Sequence, residues 1–222
     1  MQRTLLFLAL ALASTAPTAQ EAVRDIDKVN GDIVAGAGQR HGDLDTVNGS
    51  IDLGNGARAK DVETVNGGIR AGNEVSTGDM ATVNGSIRFG QRARIDGKVE
   101  TVNGSIFIDR GSYVRGDVST VNGSIGLVDA DVSGGIETVH GDVTVGVGSH
   151  VRGGIKVEKP SIGWWQIGKQ KVPRIVIGPG AVVDGPLVFE REVTLYVHAS
   201  ARTGTVQGAT TRRYDTPTAP RD

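Results

Sequence analysis

The stretch Thr46-Val47-Asn48-Gly49-Ser50-Ile51 is the clearest of a series of near-identical units along the chain. Successive units place their Val-Asn-Gly or Val-His-Gly core 18, 18, 18, 19, 19 and 18 residues apart. These cores start at Val29, Val47, Val65, Val83, Val102, Val121 and Val139. A fixed period of this length is typical of repeat proteins, in which each unit forms one turn of a stack.

Three turn signals in each unit predict a coil with three faces. Asn-Gly is the first, a glycine such as Gly54 follows within five or six residues, and a third such as Gly42 or Gly78 precedes the next unit. Turn residues about six positions apart divide the unit into three short strands. The sequence therefore predicts an all-β fold, a single-stranded triangular parallel β-helix of about 18 residues per coil. It leaves the handedness open.

Apolar residues at every second position between the turns predict the core, because side chains alternate between the two faces of a strand. In register, they form three columns that several stacked coils would bury together. The columns are Ile33, Ile51, Ile69, Ile87, Ile106, Ile125 and Val143; Ala35, Leu53, Ala71, Phe89, Ile108, Leu127 and Val145; and Leu44, Val62, Met80, Val99, Val118 and Ile136.

An antiparallel meander is the main alternative, since Asn-Gly is also the strongest short hairpin signal. A meander needs similar turn chemistry at every half-repeat and strands of opposite direction. Each unit here has three turns and the same direction. The solenoid accounts for both observations.

Composition restricts the class of protein further. With 33 glycines and 4% aromatic residues, the chain is poorly suited to a helical or α/β core. A formal net charge of −1, with basic and acidic residues intermixed, argues against nucleic acid or anionic lipid as partners. The absence of cysteine excludes disulfides and thiolate metal sites.

Residues 1–20 have the pattern of a secretory signal peptide. Arg3 supplies a positive start, residues 4–13 are apolar but too short to span a bilayer comfortably, and small polar residues follow. Cleavage is expected between Ala16 and Ala22, and a buried N-terminal helix is the alternative. We expect an exported protein, periplasmic or on the cell surface, without a transmembrane span in its mature form. The solenoid is predicted over 21–209 and a disordered tail over 210–222.

One asparagine column is the most regular candidate site. Its members are Asn30, Asn48, Asn66, Asn84, Asn103 and Asn122. We interpret it as a structural turn ladder, because asparagine tolerates the left-handed conformation and stacked amides can hydrogen-bond to one another. A threonine lies two residues earlier in most units. If both columns faced outward, they would form a flat Thr-x-Asn array like those of ice-binding β-helices; facing inward, the threonines would complete hydrogen bonds at a corner.

An inserted loop interrupts the repeat at 156–174. It contains the only tryptophans, Trp164 and Trp165, with Lys159, Lys169 and Lys171 close in sequence. An aromatic, basic loop that leaves a solenoid is a candidate contact surface for a protein or a glycan. The alternative is a loop that covers an end or a flank of the stack.

Catalytic groupings are missing from the repeat pattern. His41, His140, His150 and His198 occupy different positions of the coil, and no Ser-His-Asp or paired-carboxylate set recurs with them. We therefore expect no enzyme activity, no cofactor and no metal site.

The repeats resemble two groups of bacterial proteins. The Thr-Val-Asn-Gly-Ser-Ile units are similar to those of adhesin-like envelope proteins. The segment 177–185, with Gly153-Gly154-Ile155 before it, resembles the coils of bactofilins, the polymer-forming cytoskeletal proteins. The resemblance covers about residues 24–209. It implies end-to-end polymerisation of a triangular β-helix without a cofactor, although a signal peptide is a departure from a cytoplasmic filament.

These features predict a non-enzymatic structural or scaffolding solenoid of the bacterial cell envelope. It would associate with itself, through its N-terminal coil, or with another envelope protein. The alternative is an adhesin-like surface binding module that holds glycan or ice through the tryptophan loop or the Thr-x-Asn face.

Overall fold

The computed structural model describes residues 23–160 and 171–220. The predicted signal peptide, Trp164 and Trp165 lie outside the described residues. Within them the chain is all β. Its coils stack into a solenoid of about 9 turns with about 19 residues per turn, and three parallel sheets form the sides of the stack. At a strand spacing of about 4.8 Å, this stack is a rod roughly 40 Å long.

The first sheet contains the strands that end at the Val-Asn-Gly corner. Its ten strands, in order, are β1 (Ile26–Asn30), β3 (Leu44–Asn48), β5 (Val62–Asn66), β8 (Met80–Asn84), β11 (Val99–Asn103), β14 (Val118–Asn122), β17 (Gly135–Thr138), β20 (Gly154–Val157), β23 (Leu187–Phe189) and β26 (Val206–Gln207).

The second sheet follows that corner in every coil. Its ten strands are β2 (Ile33–Ala35), β4 (Ile51–Leu53), β6 (Ile69–Ala71), β9 (Ile87–Phe89), β12 (Ile106–Ile108), β15 (Ile125–Leu127), β18 (Val143–Val145), β21 (Arg174–Ile177), β24 (Thr194–His198) and β27 (Thr211–Tyr214).

The third sheet has seven short strands. They are β7 (Ser76–Thr77), β10 (Arg94–Ile95), β13 (Tyr113–Val114), β16 (Asp131–Val132), β19 (His150–Val151), β22 (Val182–Val183) and β25 (Arg202–Thr203). Single bridges from Arg40 to Arg58 and from Arg58 to Ser76 extend its register towards the N-terminus.

Pairing between coils is parallel throughout the described strands, which rules out the antiparallel meander. Equivalent residues stack on one another, for example Asn48 on Asn30 and Ile106 on Ile87. The predicted inward columns form the core: Ile87 is 0% exposed, whereas its neighbour Arg88 faces solvent. The parallel β-helix and its core faces are therefore confirmed.

The insert is shorter than predicted. Strand β20 continues to Val157, and β21 begins at Arg174, so the insert runs from 158 to 173. Lys156 belongs to the strand because Ile155 and Val157 on either side of it are buried, and β20 pairs with strands on both edges.

The tail prediction is wrong for residues 211–214, which form β27 on the edge of β24. Tyr214 is buried against Val176 and Tyr196 on the outer side of the second sheet, and its hydroxyl donates to the carbonyl of Ile177 at 3.3 Å. Arg174 Nη2 donates to the carbonyl of Pro220 at 2.6 Å, so the chain beyond β27 also contacts the solenoid. In the described ranges, no helix is long and apolar enough to cross a membrane.

Candidate interaction surface

The asparagine column forms a one-directional amide ladder on the outside of the corner. Each Nδ2 donates to the Oδ1 one coil earlier, at 2.9 to 3.0 Å. The six asparagines end β strands and have no positive φ; among the described residues, only Glu74, Arg92 and Asp129 are non-glycine residues with positive φ. The left-handed explanation for these asparagines is therefore wrong, and the ladder itself is what asparagine supplies.

The threonine column faces inward. Thr46, Thr64, Thr82, Thr101 and Thr120 are about 4% exposed or less, and each Oγ1 donates to the carbonyl of the corner glycine one coil earlier, at 2.8 to 3.2 Å. The outward Thr-x-Asn array does not form, so this face cannot serve as the flat ice-binding surface considered above. A hydroxyl bond at the corner satisfies a main-chain acceptor instead.

The corner glycine is required by close approach between coils. A Cβ on Gly67 would collide with the carbonyl oxygen of Gly49, and one on Gly85 would collide with that of Gly67. Any larger residue would push successive coils apart at this corner.

Valine is the one residue of the Thr-Val-Asn-Gly corner that faces solvent without a hydrogen-bonding role. Val47 is 42% exposed, and Val121, four coils further on, is still 38% exposed. The column comprises Val29, Val47, Val65, Val83, Val102 and Val121. The sequence did not reveal this column, because side-chain alternation breaks at a corner and the inward threonine that would place the valine outside is seen only in the structure.

A mostly acidic column runs parallel to the valines on the first sheet. Its members are Asp27, Asp45, Glu63, Ala81, Glu100, Ser119 and Glu137, in continuous register. A groove of about 730 Å³ follows the two columns. Burial, and then the charges of Glu63, Asp27 and Asp43, raise the pKa of Asp45, so these carboxylates repel one another along the column.

His140 ends the asparagine ladder because it occupies the next position of that column. Neither ring nitrogen has a hydrogen-bond partner, and both are buried. Burial, followed by the charge of Arg191, lowers the pKa of His140. The ring is therefore held neutral under conditions in which an exposed histidine begins to protonate.

His150 lies between two carboxylates that the sequence did not bring together. Its Nε2 is 2.6 Å from Asp184 Oδ2, and its Nδ1 is 3.9 Å from Asp131 Oδ1. His150 and Asp184 lie on neighbouring coils but are 34 residues apart in sequence, because the insert lies between them. The repeat spacing of 18 or 19 residues therefore does not predict this contact. Among residues 23–160 and 171–220, no group of three or more His, Cys, Asp or Glu side chains is arranged to hold a metal ion.

A second groove, of about 950 Å³, opens where the insert returns to the solenoid. Its lining includes Asp142 and Lys171, which form an ion pair at 2.5 Å, together with Arg174 and Tyr214. The groove thus offers charged and aromatic groups beside the predicted contact loop, whose tryptophans are not described.

No family model matches the chain, and no curated protein or solved structure is significantly similar to it. The likeness to adhesin-like proteins and bactofilins therefore rests on the quoted motifs alone, and the fold stands on its own geometry.

Proposed function

We propose that this chain is a non-enzymatic structural or scaffolding solenoid of the bacterial cell envelope, exported through its signal peptide, and that it self-assembles. The observation that carries the proposal is the regularity of the outer surface. Side chains of one type repeat at about 4.8 Å over six coils, as in the valine and asparagine columns. A long surface of identical units suits lateral or end-on assembly better than it suits recognition of one small molecule.

The two ends of the stack differ in a way that supports association through the N-terminal coil. Among the described strands, β1 and β2 each pair on one side only, with β3 and β4. At the other end, the last strand β27 carries Arg212 and Arg213, and both side chains are exposed. Charged side chains on an edge strand are a common means of blocking edge pairing. The proposal therefore favours a contact between N-terminal coils over one between C-terminal coils.

Cell fractionation followed by native pull-down tests this function directly. We expect the processed protein in the periplasmic or surface fraction, together with copies of itself or another envelope protein. Electron microscopy of the purified protein should show rods longer than the single solenoid. A cytosolic, unprocessed protein would overturn the proposal.

A surface binding module remains the second candidate, favoured by the groove beside Lys171, Arg174 and Tyr214. Aromatic and charged groups that line a groove suit a glycan. Because Trp164 and Trp165 are the only tryptophans, their fluorescence reports on the insert alone. A saturable fluorescence change with envelope oligosaccharides, in a protein that stays monomeric, would favour this candidate.

A further inference from the structure

Two outward columns of the solenoid carry opposite charge. The acidic column of the first sheet reads Asp45, Glu63, Ala81, Glu100, Ser119 over five coils. The outward column of the third sheet reads Arg40, Arg58, Ser76, Arg94, Tyr113 over five coils. Both columns have the coil spacing of about 4.8 Å, because they belong to the same stack.

The order of charged and neutral residues is the same in both columns: two charges, a small neutral residue, one charge and a neutral residue. If a second copy lies parallel to the first and is shifted by one coil, the three arginines stand opposite three carboxylates. The pairs are Asp45 with Arg40, Glu63 with Arg58, and Glu100 with Arg94, while Ala81 meets Ser76 and Ser119 meets Tyr113. One coil beyond this stretch Glu137 meets Asp131, a like-charge pair, so the favourable contact is confined to these five coils.

No other register matches all three arginines. Within the acidic column from Asp27 to Glu137, a parallel alignment with any other shift places at least one of them opposite Ala81, Ser119 or no residue. Every antiparallel alignment fails in the same way, because the reversed column never presents two acids, a neutral residue and a third acid in that order. The charge pattern thus selects both a direction and a register.

The facing groups are available for such a contact. Among the described residues, Asp45, Glu63, Arg40 and Arg58 form no ion pair. Glu100 pairs with Lys98 at 2.7 Å and Arg94 with Asp96 at 3.5 Å, but both pairs are exposed and contribute little. A row of cations at the same spacing would offset the repulsion between these carboxylates and so stabilise the contact.

We propose that the first-sheet face of one molecule docks against the third-sheet face of a second copy, parallel and offset by one coil. The valine column gives this contact its apolar part. Arginine stems can lie along exposed valines while their guanidinium groups reach the adjacent carboxylates. Every copy has both faces, so a pair of docked copies still has one first-sheet face and one third-sheet face unoccupied. The contact is therefore heterologous and can continue to further copies.

This inference rests on the self-assembly part of the proposed function and specifies the surface it uses. The test uses the exported protein in sedimentation velocity at low and high salt. We expect concentration-dependent association that falls as NaCl rises from about 50 to about 500 mM. Arg40→Glu with Arg58→Glu should weaken it by about tenfold or more, and so should Asp45→Arg with Glu63→Arg, since like charges then face each other.

Mixing the two double variants is the decisive experiment. Each one alone opposes like charges, but together they restore opposite charges at both faces, so a 1:1 mixture should associate again. The matched control is Arg70→Glu with Arg88→Glu, which makes the same charge change on the second sheet and should leave association unchanged. Failure of the mixture to recover, or equal weakening by the control, would overturn the proposal.

Cross-linking supplies a second measurement if a charge variant folds poorly. The chain has no cysteine, so Glu63→Cys in one protein and Arg58→Cys in another report only on contacts between copies. A short bismaleimide should join them, whereas Glu63→Cys with Arg94→Cys, about 10 Å out of register, should stay unlinked. The reverse preference contradicts the register. If the lateral contact fails but the protein is found in the envelope with a partner, the proposed function survives and only this inference falls.

Discussion

Thr64 Oγ1 donates a 2.8 Å hydrogen bond to the carbonyl oxygen of Gly49, one coil earlier. The same bond recurs at successive corners and ties each strand end to the turn of the preceding coil. It links two recurring positions of the repeat: the glycine must lack a side chain for the coils to approach, and the threonine satisfies the carbonyl that this approach buries.

Removing that hydroxyl should destabilise the stack. Thr64→Val keeps the shape but leaves the carbonyl without this donor, so we expect a loss of about 1 to 3 kcal/mol in the free energy of unfolding. Val65→Thr, at the next position but facing outward, is the control and should be nearly neutral. Urea unfolding monitored by circular dichroism compares them, and equal losses would mean that the two side chains have been assigned to the wrong faces.

Core truncation in the middle of the stack should cost more. Ile87→Ala and Ile106→Ala each open a cavity between coils and should lower the free energy of unfolding by about 2 to 5 kcal/mol. Arg88→Ala changes only an exposed side chain, which stacks on Phe107 at 5.4 Å, and should have a small effect. Denaturant midpoints of the three variants test the order; a loss at Arg88 as large as at Ile87 would contradict it.

Position within the asparagine ladder should set the cost of breaking it. Asn84→Ala removes two ladder bonds, to Asn66 and from Asn103, whereas Asn30→Ala removes one. At about 0.5 to 1.5 kcal/mol for each bond, the central variant should lose roughly twice as much. Thermal unfolding of both variants measures this, and identical losses would show that the amides act independently of the stack.

His140 should make stability depend on pH. Its pKa is lowered in the folded protein from an ordinary 6.5, so the unfolded chain binds the proton more readily. The contribution to stability is therefore present above about pH 6.5 and is lost as the pH falls below it. His140→Asn removes this effect and offers an amide to Asn122. Unfolding midpoints at pH 7.5 and 5.5 should differ less in the variant than in the wild type; an unchanged difference would assign the effect to other groups.

End-to-end association should respond to the first coil. The amide of Ile33 already donates to the carbonyl of Ser50 in the second coil, and backbone directions alternate along a strand, so the amide of Val34 points to the open edge. Val34→Pro should weaken association without changing the unfolding midpoint, while Arg70→Pro, inside the stack, should lower the midpoint. Light scattering across a concentration series measures the first effect. Unaltered association in Val34→Pro would exclude this end as the contact.

The repeat pattern was enough to predict the coil, because a period of 18 or 19 residues with three turn signals has few other solutions. Apolar residues at alternate positions, such as Ile51 and Leu53, predicted which face is buried. The sequence could not show which side chains face inward at the Thr-Val-Asn-Gly corner. Alternation breaks where a strand turns, so only the structure shows Thr64 inside, Val65 outside and Asn66 bonded along the stack.

Features that depend on distant parts of the chain appear only in the folded structure. Thr211–Tyr214 has little pattern of its own and becomes a strand because β24 offers an edge and Tyr196 a surface for Tyr214. The match between the acidic and arginine columns exists only once the coils are in register, since neighbours in each column are 18 or 19 residues apart in sequence but about 4.8 Å apart in space.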